Sequence, residues 1–309
     1  MKRRVFLQSI LIVILLVACQ PTQQIDSPDL EDTPRLVILS AFNAELAALR
    51  LEANITETYT LNGTEVQVGK LHDRNVALML SGTSMINAAM NAQAVIDHFN
   101  VQGIVFSGIA GGVNPNLRIG DVAVPAQWGQ YQEAVFARET DSGWATGWHT
   151  ADFGNFGMIF PQYVSVPMKG GEPNNYEMKF WFEVDDKMLA VAEEAVKAVE
   201  LAKCTSKDNC LTHEPAIVVG GNGVSGPTFV DNADYRQWVW ETFESDVLDM
   251  ETAAVAHVAY VNDVPFLAFR SLSDLAGGGA GENEINIFYQ LAADNSARVL
   301  LAFLDAWEE

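Results

Sequence analysis

Six short apolar runs, at residues 36–40, 76–80, 103–107, 122–124, 216–220 and 264–269, alternate with stretches of helical period. A run without polar alternation is buried on both faces, and strands so buried belong to parallel sheets whose crossovers are helices. The clearest helical stretches fall at 84–99, 185–203, 252–261 and 285–307. The pattern predicts one α/β domain of three layers, α/β/α, with a central, mainly parallel mixed sheet. No period of repeat-protein length occurs. In such sheets ligands bind where the carboxyl ends of the strands open a crevice, so the residues just after the apolar runs carry the chemistry.

Ahead of the domain, Lys2, Arg3 and Arg4 precede an apolar run from Ile10 to Ala18. The run is too short to cross a bilayer as a folded helix and suits the apolar part of an export signal. Leu16-Val17-Ala18-Cys19 has the form of a bacterial lipobox, in which small residues admit the peptidase and the cysteine thiol takes the lipid. Residues 1–18 are expected as a lipoprotein signal peptide, Cys19 as the lipidated residue, 19–33 as a polar tether and 34–309 as the catalytic domain. Gln20, rather than Asp, after Cys19 resembles lipoproteins of the outer membrane of Gram-negative cells. The expected location is the cell envelope, with the membrane reached through the lipid anchor alone.

The 309 residues include 18 Lys and Arg against 40 Asp and Glu. Without Lys2, Arg3 and Arg4 the balance is 15 basic against 40 acidic residues, a net charge near −25. Such a chain repels polyanions, which argues against nucleic acid as a partner. None of His72, His98, His149, His213 and His257 stands in metal-ligand spacing with another histidine or a cysteine. The reading therefore calls for no metal and no cofactor. Cys204 and Cys210 enclose a short polar run, and in an oxidising compartment that spacing fits a small disulfide loop; two free thiols remain the other reading.

The segment from about 127 to 182 breaks the alternation, with Trp128, Trp144, Trp148 and Trp181 set among Gly, Asn and Pro. An insertion of this kind is either a lid or interface, or an extra layer of β-hairpins packed on the sheet.

Four places combine chemistry-bearing residues with the ends of elements. Glu45, after the first apolar run, falls in the first turn of a helix, where the helix dipole alone would favour a carboxylate. Ser107-Gly108-Ile109-Ala110-Gly111-Gly112 follows a buried strand, and its small residues let backbone amides approach a ligand. Asp249-Met250-Glu251-Thr252 opens a helix. Arg270-Ser271-Leu272-Ser273-Asp274 places an acid just past a strand end, where a turn or helix cap is its commoner role.

Together with Ile119-Gly120-Asp121-Val122, these motifs resemble the nucleoside phosphorylase and nucleosidase superfamily, nearest its methylthioadenosine/S-adenosylhomocysteine nucleosidase branch. The resemblance covers most of 35–125 and 215–305 and implies a phosphorylase/hydrolase-like fold. It also implies that Asp274 is the acid that protonates purine N7, oriented by Arg270 and Ser273, and that Glu45 is the base that positions water. Met250 packs on the sugar and Glu251 accepts hydrogen bonds from its hydroxyls, kept ionised with help from the helix N-terminus. Ile109, Ala110 and Gly111 form the ribose and base platform, Phe229 stacks on the base, Val230 binds its edge through backbone groups, and Ile285 lines the 5′ pocket. The chain departs from the family pattern at Ile109, where Ser or Thr is usual and plant storage relatives have Ile. It departs again at Asp249, where Glu is usual; the shorter acid should weaken a water or hydroxyl contact. Relatives assemble as dimers or larger rings, so a homodimer is expected, with part of 127–182 at the interface or over the pocket mouth.

The implied activity is hydrolysis of the N-glycosidic bond of purine nucleosides or 5′-thio-purine nucleosides, giving free base and sugar. A phosphorylase is the alternative, although no basic residue occurs in the turns at 40–45 and 80–84 to bind phosphate. A lipid-anchored nucleoside-binding protein is a third reading, but binding alone has no need of an acid and a base across a scissile bond. Gly221-Asn222-Gly223-Val224-Ser225-Gly226 spells a dinucleotide loop, yet no helical period follows it, so that reading is rejected. No G-x-S-x-G elbow is present to suggest a serine hydrolase.

Overall fold

In the computed structural model, which describes residues 23–24, 31–205 and 209–308, the apolar runs become the centre of one large sheet. Its strands are β1 (Glu31–Ser40), β2 (Asn54–Leu61), β3 (Thr64–Leu71), β4 (Arg74–Leu80), β5 (Phe99–Gly112), β6 (Val122–Val124), β7 (Gln127–Gly129), β8 (Trp181–Glu183), β9 (Ile217–Val219), β10 (Asn222–Ser225), β11 (Ser245–Asp249) and β12 (Phe266–Asp274). Along the main path the order is β2-β3-β4-β1-β5-β11-β10-β7-β8, with Gln23–Gln24 beside β2. β12 pairs in parallel with β5 and antiparallel with β6, which pairs with β9. Val37, Ile38, Leu39, Ile104, Val105, Leu267, Ala268 and Phe269 are fully buried, as strands covered on both faces require.

Among the described residues six helices accompany the sheet: α1 (Asn43–Glu52), α2 (Met85–His98), α3 (Asp186–Ala195), α4 (Ala233–Phe243), α5 (Thr252–Val261) and α6 (Ile285–Ala306). α6 packs on β12 and β5 with α1 and α3 beside it, while α2 packs against α5. The architecture is the expected three-layer, mainly parallel mixed sheet. No helix among the described residues is long and apolar enough to cross a membrane. The signal segment and Cys19 lie outside the described residues. β1 begins at Glu31, so the end of the expected tether belongs to the sheet.

β5 organises the site. Its first part lies between β1 and β12, and its last residues turn to pair antiparallel with β11 through Gly111 and Gly112. The small-residue motif therefore lies inside a strand rather than after one. Gly108 is indispensable there: a Cβ would stand 2.1 Å from Arg270 Nη1 and 2.6 Å from Glu45 Oε1. β12 likewise runs on to include Asp274, with its register shifting between Leu272 and Asp274.

The helix expected over 185–203 stops at Ala195 and is followed by a 3-10 turn, and further on buried Asn295 of α6 holds both the N–H and the C=O of Ala202. Those two bonds, at 2.7 and 3.0 Å, fix non-helical backbone. The dinucleotide spelling at 221–226 contains strand β10, in keeping with its rejection.

Cys204 and Cys210 form a disulfide. The insertion is chiefly an added layer of short hairpins, pairing Ala134–Phe136 with Ile159–Pro161, Arg138–Thr140 with Gly143–Ala145, and Val164–Pro167 with Tyr176–Lys179. Phe153, Phe156 and Phe180 pack against Tyr235, Trp238 and Phe243 at α4 and form a second aromatic core. Trp128 is fully buried and Trp181 packs on Phe180, whereas Trp144 and Trp148 are exposed.

Candidate active site

Where the carboxyl ends of β1, β5, β11 and β12 meet the first turns of α1, α5 and α6, the fold leaves a cavity of about 340 Å³. Glu45, Ile109, Ala110, Gly111, Phe229, Val230, Met250, Glu251, Ser273, Asp274 and Ile285 all line it. Asp249 lines it too, and Ala41, Phe42, Thr83, Thr228, Leu248, Asn286 and Tyr289, which were missed from sequence, complete the wall. Asn286 and Tyr289 sit one and four residues past Ile285 on α6, so helical spacing could have found them. No residue of 127–182 lines the cavity, so within the protomer that segment is not its lid. Phe229 stands at the mouth and is 54% exposed.

Glu45 is held by the first turn of its own helix. Its Oε2 accepts hydrogen bonds from the N–H groups of Ala41 at 2.6 Å and Phe42 at 3.4 Å, donors that a helix start otherwise leaves free. Its Oε1 accepts from Ile109 N–H at 2.8 Å, tying α1 to β5. Burial raises the Glu45 pKa, against the lowering effect of Arg270 and these three donors.

Arg270 is placed differently from the expectation. It does not line the cavity and does not orient Asp274; it is fully buried behind the wall. There it gathers three other acids: Nε lies 2.8 Å from Asp249 Oδ2, Nη1 3.8 Å from Glu45 Oε1, and Nη2 3.8 Å from Glu251 Oε2. The Phe106 ring covers the guanidinium at 4.1 Å. The reason is direction: Arg270 and Asp274 lie four residues apart on one strand, and the long side chain runs sideways to the helix termini instead of along the strand.

Asp249 is equally settled. Its Oδ1 accepts from Ser225 Oγ at 2.5 Å and from the N–H groups of Glu251 and Thr252, both at 3.1 Å. Its Oδ2 takes the Thr252 hydroxyl and Arg270. Asp249, which also lines the cavity, thus accepts the N–H groups at the start of α5 and fixes the backbone that carries Glu251. Glu251 Oε1 accepts from Ser84 N–H at 2.7 Å. Burial, and then the neighbouring Asp249, raise the Glu251 pKa to about 7, so the helix N-terminus does not keep it fully ionised at neutral pH.

Asp274 is buried on the opposite strand end. Oδ2 accepts from Ser273 Oγ at 2.9 Å and Oδ1 from Ala276 N–H at 2.8 Å. Burial raises its pKa, opposed by the Ala276, Ser273 and Asn283 donors. A carboxyl group poised toward its protonated form can act as a general acid. Among the described residues no group of three or more His, Cys, Asp or Glu is arranged to hold a metal ion.

The model of the phosphorylase superfamily matches residues 35–305, which contain every residue that lines this cavity. The chain belongs to the phosphorylase superfamily. Solved structures share the superfamily fold at low identity. Futalosine hydrolase of Helicobacter pylori strain 26695 is 21% identical with a TM-score of 0.65, covering 89% of this chain and 98% of its own. The 5′-methylthioadenosine/S-adenosylhomocysteine nucleosidase of Neisseria meningitidis is 21% identical with a TM-score of 0.65, covering 88% and 99%. The corresponding nucleosidase of S. pneumoniae is 24% identical with a TM-score of 0.66, covering 89% and 100%. Four acidic residues line the cavity, Glu45, Asp249, Glu251 and Asp274, and no Lys, Arg or His does.

Proposed function

We propose that the protein hydrolyses the N-glycosidic bond of purine nucleosides or 5′-thio-purine nucleosides, releasing free base and sugar. The observation that carries this reading is the pair of buried carboxyls with raised pKa values, Asp274 and Glu45, lining one cavity from different strand ends. As the C1′–N9 bond breaks, its electron pair goes to the base and Asp274 passes its proton to N7. The oxygen of water bonds to C1′ while Glu45 takes a proton from it. Glu251 holds the ribose hydroxyls, and the surrounding negative charge favours the positive charge that grows on the sugar. The hydrolases among the similar structures support the reading.

Water is favoured over phosphate as the acceptor for an electrostatic reason. Arg270, behind the wall, is buried and already faces three carboxylates, and Ile109 puts an apolar side chain on the wall beside Glu45. A phosphate dianion would enter an acidic cavity with no cation to meet it. The test is a nucleoside panel assayed for free base with and without phosphate. Phosphate-independent release is expected; strict dependence on phosphate defeats the hydrolase, and binding without turnover across the panel favours a nucleoside-binding protein.

The envelope location and homodimer belong to the same proposal. A lipid-anchored enzyme outside the cytoplasm would meet scavenged nucleosides, which puts nucleoside salvage on a par with thio-nucleoside recycling as its role. Cys19→Ala is expected to move the protein from the membrane to the soluble fraction, and light scattering of that soluble form is expected to give twice the chain mass. Unchanged fractionation or a monomer overturns the respective claim.

A further inference from the structure

Between Asp274 and α6 the chain runs through Leu275, Ala276, three consecutive glycines and Asn283, a strap laid against the turn that carries Phe229 and Val230. Two contacts fasten it. Asn232 N–H donates to Ala276 O at 3.0 Å, and Gly277, with φ +89°, comes so close that a Cβ would stand 2.3 Å from Asn232 N. The second contact is the Asn283 side chain. Its Nδ2 donates to Asp231 Oδ1 at 3.0 Å and to Asp274 Oδ1 at 3.3 Å, while its Oδ1 accepts from Ile285 N–H at 3.0 Å. One amide therefore joins three parts of the cavity: the residue after Val230, the acid, and the helix start that carries Ile285, Asn286 and Tyr289.

The geometry points to Asn283 as a positioning residue for the catalytic acid, its amide shared between Asp274 and Asp231 so that the two carboxylates can face each other across a donor. This inference rests on Asp274 being the general acid. The amide has two N–H bonds, and each carboxylate takes one. Without it, Asp274 keeps Ser273 and the Ala276 N–H but loses the contact that ties Oδ1 to the strap, and Asp231 faces it unscreened. The charged groups around Asp274 are few. Asp231, on the base turn, is the charge that raises its pKa; Arg236 of α4 donates to Gly112 O and lies along Gly278; Glu45 and Glu251 belong to other walls of the cavity.

Two substitutions separate positioning from mere packing because they should move the pH profile in opposite directions. Asn283→Ala removes a donor to the ionised carboxylate, so protonated Asp274 persists to higher pH and the alkaline limb of kcat moves up. Asp231→Asn removes a like charge and keeps an acceptor for Asn283, so the limb moves down. With adenosine and 5′-methylthioadenosine as probes, Asn283→Ala is expected to lower kcat about tenfold at the wild-type optimum with KM changed less than about threefold. Asn283→Gln, which retains an amide, should recover part of the rate. Limbs that coincide with wild type, or that move the same way in both variants, overturn the proposal even if rates fall, since lost packing has no reason to shift them oppositely. Failure of the underlying reading looks different: Asp274→Asn would then keep the wild-type rate.

Discussion

Asp274→Asn is expected to lower kcat by about 10²–10⁴-fold while leaving nucleoside affinity within a few-fold, because general acid catalysis is worth about that much. The substitution keeps the size and planarity of the side chain. An asparagine oxygen still accepts from the Ala276 N–H, and the Ser273 hydroxyl can turn to accept instead of donate, so the wall around Oδ1 and Oδ2 survives. What disappears is the proton. In the native site burial moves Asp274 toward its acid form, and the donors from Ala276, Ser273 and Asn283 restrain that rise, so the group can both hold and release a proton. The loss should appear in kcat and kcat/KM alike, since N7 becomes basic enough to need the proton only as the glycosidic bond stretches. Free-base release gives the rate, and calorimetric binding of the same nucleoside shows that the cavity is intact. A variant within a few-fold of wild type removes Asp274 as the acid.

The parts of this molecule that the sequence displays are those set by local burial. The runs at 36–40, 103–107 and 264–269 read as strands because both faces are covered, and β1, β5 and β12 are the three neighbours at the centre of the sheet. Glu45, Glu251 and Asp274 were legible because chemistry at the carboxyl end of such a sheet must come from the residues that leave strands or start helices. The hairpin β2–β3 was not, since only Leu61 of β2 is buried, polar residues fill the exposed positions, and the buried residues of β3 (Val66, Val68, Gly69 and Leu71) do not form a continuous apolar run. The irregular chain after α3 was hidden for another reason: Ala202 is held there by Asn295, a residue 93 positions away. Arg270 shows the sharpest limit. Its neighbourhood in sequence suggested Ser273 and Asp274 as partners, yet β12 is where the first turns of α1 and α5 converge, and only that convergence puts Glu45, Asp249 and Glu251 around one guanidinium.

Arg270→Met is expected to be the most destabilising of the site substitutions, and its cost should grow with pH. Methionine fills much of the same volume against Phe106 but leaves three buried carboxylates without their cation. Breaking a buried ion pair by removing one partner costs about 3–5 kcal/mol, which for a domain of this size lowers the melting midpoint by roughly 10 °C. The pH dependence follows from Glu251. Its pKa is about 7 in the folded protein against an ordinary 4.5, so between those values the folded state binds more protons than the unfolded one. The stability linked to this group is fully present below pH 4.5 and is lost as pH rises through about 7. Glu45 and Asp274, both raised by burial, contribute with the same sign. Wild type should therefore melt at a lower temperature at pH 8 than at pH 5. In Arg270→Met the attraction that lowers the Glu45 and Glu251 pKa values is gone, both acids hold their protons to higher pH, and the gap between pH 5 and pH 8 should widen. Thermal melts of both proteins across that range decide the matter. An equal loss at both pH values would mean that Arg270 acts by packing on Phe106 alone. A variant as stable as wild type at pH 8 would show that Glu45, Asp249 and Glu251 do not depend on its charge.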